Sequence, residues 1–336
     1  MTIKDAIIKL TSREDLTFEM AEQVMDEIMT GSVSQTQIGA YLVALSMKGA
    51  TIEEITASAK GMRKHATKLL HDQDVLEIVG TGGDKAGTFN ISTTSALVLA
   101  AAGVQVAKHG NRAASSKCGS ADVLEALGVK IDCSVEKSKE MLEKINICFL
   151  FAQCYHSAMR HVAPVRRELS VPTIFNILGP LSNPLGASMQ LMGVYDETLI
   201  EPLAEVLTNL GVKKGMVVRG EDGLDEISMT TTTKVCEIRN GWFKSYEIDP
   251  KEYGFSLCNP EDLVGGTPEE NAKITLGILK GDKSPKRDAV VLNSAAALYI
   301  ARDNMTLESA ILEIEEIIDS GKVLEKLNEF ITMSNS

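Results

Sequence analysis

Apolar residues recur at helical spacing through roughly the first 70 positions, as in Ile3, Ile7, Ile8 and in Phe18, Ala21, Val24, Met25, Ile28. Gly31 breaks the pattern. Ser34 with Gln37, and Thr51 with Glu54, each fit a capping box that opens a further helix. No alternating strand pattern occurs in this stretch, so the spacing predicts a small all-helical unit.

The pattern changes at Val75-Leu76-Glu77-Ile78-Val79, a β-type run that ends in Gly80-Thr81-Gly82-Gly83-Asp84. An apolar helix is predicted from Ser92 to Ala102. A second β-type run, Val104 to Ala107, ends in Lys108-His109-Gly110-Asn111. This has the size of a βαβ unit. Cys148–Phe151, Leu191–Tyr195 and Gly215–Arg219 read as further buried strands, alternating with helical patterns at Ser134–Lys144 and Leu199–Leu210. Such alternation predicts a mainly parallel sheet with helices on both faces. Asn240-Gly241, between Val235–Arg239 and Trp242–Tyr246, predicts a type I′ hairpin. Thr267-Pro268-Glu269-Glu270 reads as a helix start.

Composition narrows the class. A chain of 336 residues, 44% hydrophobic and 24% charged, is globular, with a soft expectation of about two domains. The longest apolar stretch, Ala96 to Val104, falls far short of the roughly 20 residues that span a bilayer. The amino-terminus mixes charge into an amphipathic pattern and does not read as a signal peptide. Six scattered cysteines without a CxxC pair fit reduced thiols and a cytoplasmic location. The balance of 34 basic and 46 acidic residues gives a net charge of −12, which weighs against nucleic-acid and membrane-surface partners. Small anions remain admissible, because backbone amides or a bound cation can override the global sign.

Three segments carry candidate chemistry. The Gly80–Asp84 loop, followed by Asn90-Ile91-Ser92-Thr93 at a helix start, suits backbone approach to a phosphate. Its other reading is a tight turn that needs positive φ. It matches neither a Walker A sequence nor a dinucleotide fingerprint. The Lys108–Ser120 segment gathers cationic side chains and hydroxyls after the neighbouring strand, where open α/β sheets bind ligands. Its other reading is a solvated surface loop. Asp225-Glu226 is either a solvated turn or a carboxylate pair for Mg²⁺, which binds through one or two carboxylates plus substrate phosphates.

These segments, together with Asn176–Pro184, Gly223–Glu226, Gly265-Gly266 and Asn271-Ala272, resemble the anthranilate phosphoribosyltransferase family, in order and over the whole chain. The resemblance implies a fold like that of the pyrimidine nucleoside phosphorylases: a small helical domain and a larger α/β domain with a mixed, mainly parallel sheet. Residues 1–72 with 162–190 would form the first, and 73–161 with 191–336 the second. It implies a homodimer joined through the helical domains. It further implies transfer of the phosphoribosyl group from phosphoribosyl pyrophosphate to anthranilate, with Mg²⁺, in tryptophan biosynthesis.

The resemblance also assigns residues. Gly80, Gly83, Asp84, Thr88, Asn90, Ile91, Ser92 and Thr93 would hold the donor. Lys108, His109, Gly110, Asn111, Arg112, Ala113, Ala114, Ser115, Ser116 and Ser120 would wrap its pyrophosphate and ribose. Ser92, Asp225 and Glu226 would contact metal, while Gly80, Asn111 and Arg166 would face anthranilate. No catalytic residue separates from substrate binding. The chain departs from the family pattern at Ser157, where Pro is usual, and at Pro172, where Arg is usual. Competing readings are a nucleoside phosphorylase, a phosphoribosyltransferase with another acceptor, and a non-catalytic nucleic-acid-binding relative.

Overall fold

The computed structural model describes residues 2–69, 71–113 and 116–336. Four helices open the chain: α1 (Ile3–Thr11), α2 (Phe18–Thr30), α3 (Gln35–Lys48) and α4 (Ile52–Lys64). Both predicted capping boxes form. At α4 the Thr51 hydroxyl accepts from the Glu54 amide at 3.2 Å, and the Glu54 carboxylate accepts from the Thr51 amide at 2.7 Å. Glu54 is fully buried, and it also accepts from Leu16 N at 2.9 Å and from Lys48 Nζ at 2.9 Å. One side chain thus caps α4, ties the α1–α2 link and satisfies a buried charge.

Seven strands follow: β1 (Leu76–Gly80), β2 (Val106–Gly110), β3 (Ile147–Phe151), β4 (Met189–Gly193), β5 (Lys214–Gly220), β6 (Thr233–Arg239) and β7 (Trp242–Ile248). They form one sheet in the order β3-β2-β1-β4-β5-β6-β7. The first five strands run parallel, and β6 and β7 are antiparallel. The sheet is therefore mixed and mainly parallel. The hairpin turn places Asn240 at φ 47° and Gly241 at φ 91°, as a type I′ turn needs. β7 is an edge strand that leaves Trp242 68% and Phe243 41% exposed.

The sheet divides two apolar cores. On one face lie α5 (Ile91–Ala101), α6 (Ser120–Ala126) and the helices Val135–Ile145, Pro285–Ala301, Leu307–Asp319 and Lys322–Ser334. The other face, through Met192, Val194, Val217 and Cys236, joins a core shared by α1 to α4 and Ile200–Asn209. Val162, Val165, Phe175, Leu178 and Leu181 belong to this second core. Arg63 of α4 fastens the arrangement, donating to the carbonyls of Leu181 at 2.7 Å and Leu210 at 3.0 Å.

Two strand boundaries differ most from expectation: β4 runs Met189–Gly193, two residues ahead of the expected Leu191–Tyr195, and β2 is shifted as well. β2 runs Val106–Gly110, so Lys108 and His109 lie inside the strand and not in the loop after it. The loss of apolar character at Lys108 misleads, because both side chains are buried.

Candidate active site

Parallel strands present their carboxyl ends together, and four segments meet there. The loop between β5 and β6 brings Asp225 across the ends of β1 and β4. Gly80 and Gly193 are paired in register at those ends. A Cβ on Gly80 would stand 2.3 Å from Asp225 Oδ2, and one on Gly193 would stand 1.6 Å from Asp225 O. Only two glycines side by side admit the acid this closely. The Gly82 amide donates to Asp225 Oδ2 at 2.5 Å. Gly82 and Gly83 adopt φ of 70° and 88°, so the loop is a positive-φ turn, and one of its amides serves a carboxylate.

Glu226 is held from α5. It accepts from the Ser92 hydroxyl at 2.5 Å and the Ser92 amide at 3.2 Å. Burial, then the neighbouring Asp84 and Glu226 carboxyls, push Asp225 well above the usual carboxylate range. Burial likewise lifts Glu226 to about 7, against the pull of Ser92 and Lys108. Lys108 is buried from β2, with no ion pair within 4 Å among the described residues. Burial lowers its pKa, while Glu77, Glu226 and Asp225 oppose that shift.

The result is an oxygen-only donor set of two carboxyls and a hydroxyl, beside a buried lysine. Crowded carboxyls of this kind fit a hard divalent cation, whose charge would relieve their repulsion. Among the described residues no three His, Cys, Asp or Glu side chains form a ready-made cage. Mg²⁺ binds through one or two carboxylates and completes its shell with water and substrate phosphate oxygens.

The remaining predicted residues are placed unevenly. Asp84 accepts from Ala86 N at 3.2 Å, and Thr88 bridges to Val264. The side chains of Ile91 and Thr93 are buried. Asn111 is exposed, and its carbonyl accepts from Ser120 Oγ at 3.3 Å and Ala121 N at 3.2 Å. The Arg112 guanidinium is committed to Asp122 at 3.0 Å and Glu125 at 2.7 Å. Asp122 also takes the amides of Ala113 and Gly119, each at 2.9 Å. A Cβ on Gly110 would stand 2.0 Å from Ser120 Oγ, so β2 ends hard against α6. Ser116 Oγ donates to Cys118 O at 3.4 Å. Ala114 and Ser115 lie outside the described residues.

His109 faces away from Lys108. Successive strand residues face opposite sides of a sheet, so the His109 ring cannot share the face of Lys108. It lies 5.1 Å from the His156 ring, on the side of the helical unit. His156 in turn meets Ser182 O at 2.9 Å. The His109 ring thus faces the helical unit, and its Nε2 has no hydrogen-bond partner among the described residues.

Arg166 sits in the helix Ala163–Leu169, 5.6 Å from the centre of the Phe175 ring. It is partly buried, and burial lowers its pKa. No carboxylate pairs with it among the described residues, whereas the neighbouring Arg167 is exposed. Ser157 is exposed at the start of a 3₁₀ turn, and the Pro172 carbonyl accepts from Ser46 at 3.2 Å.

Sequence reasoning missed Gly193, Asp122, Glu77 and the role of Asn271. Glu77 is a wholly buried carboxyl on the face of the sheet toward the helical unit, raised to about 7 by burial. A charged residue inside an apolar strand run was the available signal.

Residues 72–324 match the Glycosyl transferase family, a/b domain, and residues 4–66 match the Glycosyl transferase family, helical bundle domain. A curated anthranilate phosphoribosyltransferase of Methanobrevibacter smithii is 62% identical over 334 residues, covering 99% of this chain and 100% of that protein. The crystal structure of anthranilate phosphoribosyltransferase from Thermus thermophilus superposes with a TM-score of 0.94 at 44% identity, covering 99% of this chain and 100% of that one. The Saccharomyces cerevisiae enzyme in complex with PRPP and Mg gives a TM-score of 0.92 at 27% identity, covering 99% and 98%. Two-part architecture, strand-end acid pair and end-to-end identity converge: this chain belongs to the anthranilate phosphoribosyltransferase family.

Proposed function

We propose that the protein transfers the phosphoribosyl group from phosphoribosyl pyrophosphate to the amine of anthranilate, giving N-(5-phosphoribosyl)anthranilate and pyrophosphate in tryptophan biosynthesis. The observation that carries this reading is the Asp225–Glu226 pair seated on Ser92 and Gly82 beside the buried Lys108. A phosphorylase handling phosphate alone has less need of paired carboxyls for a dication.

Ser92, Asp225 and Glu226 would hold Mg²⁺, which when bound spreads the pyrophosphate's charge and eases its departure. Lys108 supplies a fixed point charge for the same leaving group. Arg166 would take the anthranilate carboxylate in its planar fork, and Asn111 with the Gly80 backbone would complete the acceptor site. The amine of anthranilate is neutral and nucleophilic, so no strong base precedes attack. It forms the C–N bond on the face of the anomeric carbon opposite the breaking C–O bond, with inversion, and its proton then passes to water. Holding both substrates in line is worth roughly 7–11 kcal/mol of the barrier.

In this reading residues 1–72 with 162–190 form the helical domain, and 73–161 with 191–336 the donor-binding domain. Ile8 and Met47, 66% and 73% exposed on α1 and α3, support a homodimer through the helical domains. Six cysteines, all unpaired, support a cytoplasmic location. No helix among the described residues is long and apolar enough to cross a membrane.

The direct test mixes the protein with phosphoribosyl pyrophosphate, Mg²⁺ and anthranilate and follows anthranilate fluorescence. Loss of signal that needs all three components is expected. A constant signal with folded protein sinks the reading.

A further inference from the structure

Asn271, in the helix Pro268–Leu279, is 1% exposed and has every side-chain polar atom engaged. Its Nδ2 donates to the carbonyls of Gly266 at 3.0 Å and Thr267 at 3.1 Å. Its Oδ1 accepts from the Asn90 backbone amide at 3.0 Å and from Asn90 Nδ2 at 3.3 Å. The two residues are 181 positions apart in sequence.

The polarity of this chain of hydrogen bonds is forced. Backbone carbonyls only accept, so the Asn271 amino group must face Gly266 and Thr267. A backbone N–H only donates, so the Asn271 oxygen must face Asn90. Asn90 then meets acceptors on its inner side: Asn271 Oδ1, and Cys118 O at 3.4 Å. Its amino group must turn inward as well. Asn90 Oδ1 is left as an acceptor with no protein partner among the described residues. The surrounding backbone holds the register, since Phe89 N donates to Leu263 O and Gly265 N to Gly87 O, each at 3.0 Å.

We propose that Asn271 is a positioning residue that acts through Asn90, fixing its amide so that the donor meets an acceptor oxygen there. An acceptor repels phosphate oxygens and suits a hydroxyl, so the group it meets is a ribose hydroxyl of the donor. This rests on the phosphoribosyl reading of the site and goes further by assigning one polar contact its direction. It also explains the Gly265–Ala272 segment, whose helix start sets a hydrogen bond on the far side of the donor loop.

The test is a double-mutant cycle on the intact protein, with Asn90→Ala, Asn271→Ala and both together. Donor affinity is read by calorimetry with phosphoribosyl pyrophosphate and Mg²⁺, and KM by steady-state kinetics. Asn271→Ala is expected to weaken the donor about tenfold, the scale of one lost hydrogen bond in a polar site, with anthranilate KM little changed. In the Asn90→Ala background the same change should cost clearly less, because the side chain it orients is gone and only the bond to the backbone amide remains. Equal donor losses in both backgrounds would overturn the proposal, as would an unaltered donor KM in Asn271→Ala. Should Asn271→Ala not fold, Asn271→Asp replaces it in the cycle: it keeps an acceptor for Asn90 and sets an oxygen against the Gly266 and Thr267 carbonyls. Wild-type protein that fails to bind phosphoribosyl pyrophosphate would sink the functional reading itself. Wild-type binding with an additive cycle sinks only the role of Asn271.

Discussion

Lys108 and His109 are adjacent in sequence, buried on opposite faces of the same strand, and surrounded by opposite chemistry. On the α5 face Lys108 stands near two carboxyls with no ion pair within 4 Å. On the helical face the His109 ring packs with His156 under the chain that links the units, and burial holds its pKa well below the ordinary imidazole value. The first face gathers charge of both signs at the strand ends, as a site for a charged ligand must. The second pairs several polar groups with carbonyls, Arg63 with Leu181 and Leu210, His156 with Ser182, Asn183 with Ala107, Gln190 with Pro180, yet leaves His109 Nε2 and both Glu77 oxygens without a hydrogen-bond partner among the described residues. Neither burial nor a missing partner alone sets the first face apart; the convergence of two carboxyls, a hydroxyl and an ammonium at the strand ends does.

The strongest break of this contrast is at the acid pair. Replacing Asp225 and Glu226 by Asn and Gln together should lower turnover by about 10²–10³-fold, the scale of losing a main electrostatic stabiliser of the leaving group. Circular dichroism should be unchanged. Wild-type turnover at limiting Mg²⁺ would show that the cation is held elsewhere.

Next, Lys108→Met should weaken phosphoribosyl pyrophosphate by about 1.5–3 kcal/mol, the scale of a charge-assisted hydrogen bond, without loss of thermal stability. His109→Asn should do the reverse: a lower Tm with the donor KM little changed. Calorimetry and thermal denaturation of both variants decide. A donor defect in His109→Asn would abolish the distinction between the faces.

In the proposed reading the acceptor binds on the side of the helical unit, where Arg166 and Arg167 give a second sequence-adjacent pair. Arg166→Ala should raise the anthranilate KM about tenfold and leave the donor KM alone, as loss of a ground-state contact does. Arg166→Lys should also be harmful, since an ammonium cannot supply the planar fork. Arg167→Ala should be silent. An anthranilate defect confined to Arg167→Ala would reassign the residue.

The smallest expected effect concerns Glu77. Its carboxyl is raised in the folded protein to about 7 from an ordinary value of 4.5. The folded state therefore binds more protons than the unfolded chain between those values, and this group's contribution to stability falls as pH rises through the window. Glu77→Gln should melt a few degrees above wild type at pH 8, and the gap should close toward pH 5. A gap that stays constant with pH would mean that Glu77 is not protonated on folding.

Much of this was legible in the chain. Capping boxes, the Asn-Gly hairpin and the acid pair are local signals, and local physics realised them. The parity of Lys108 and His109 was readable in principle, since alternation in a strand is strict, but it needed the strand's end, which the charged residues concealed. Gly193 gains meaning only when β4 lies beside β1 and brings it level with Gly80. Arg112 looked free because its partners, Asp122 and Glu125, are 10 and 13 residues away and become neighbours only through the turn into α6. Asn271 meets Asn90 across more than half the chain, and no periodicity encodes that.

The hairpin at the sheet's edge has a spectroscopic consequence. The chain has a single tryptophan, Trp242, and it lies exposed on β7. Four strand spacings, roughly 19 Å, separate β7 from β1. An indole already in water emits near the wavelength it would have in the unfolded chain, so intrinsic fluorescence will be almost blind to melting of either core. The same placement leaves the optical window around anthranilate's own emission clear of a changing protein background. Unfolding is best followed in this protein by circular dichroism or calorimetry, and turnover by the fluorescence of the acceptor.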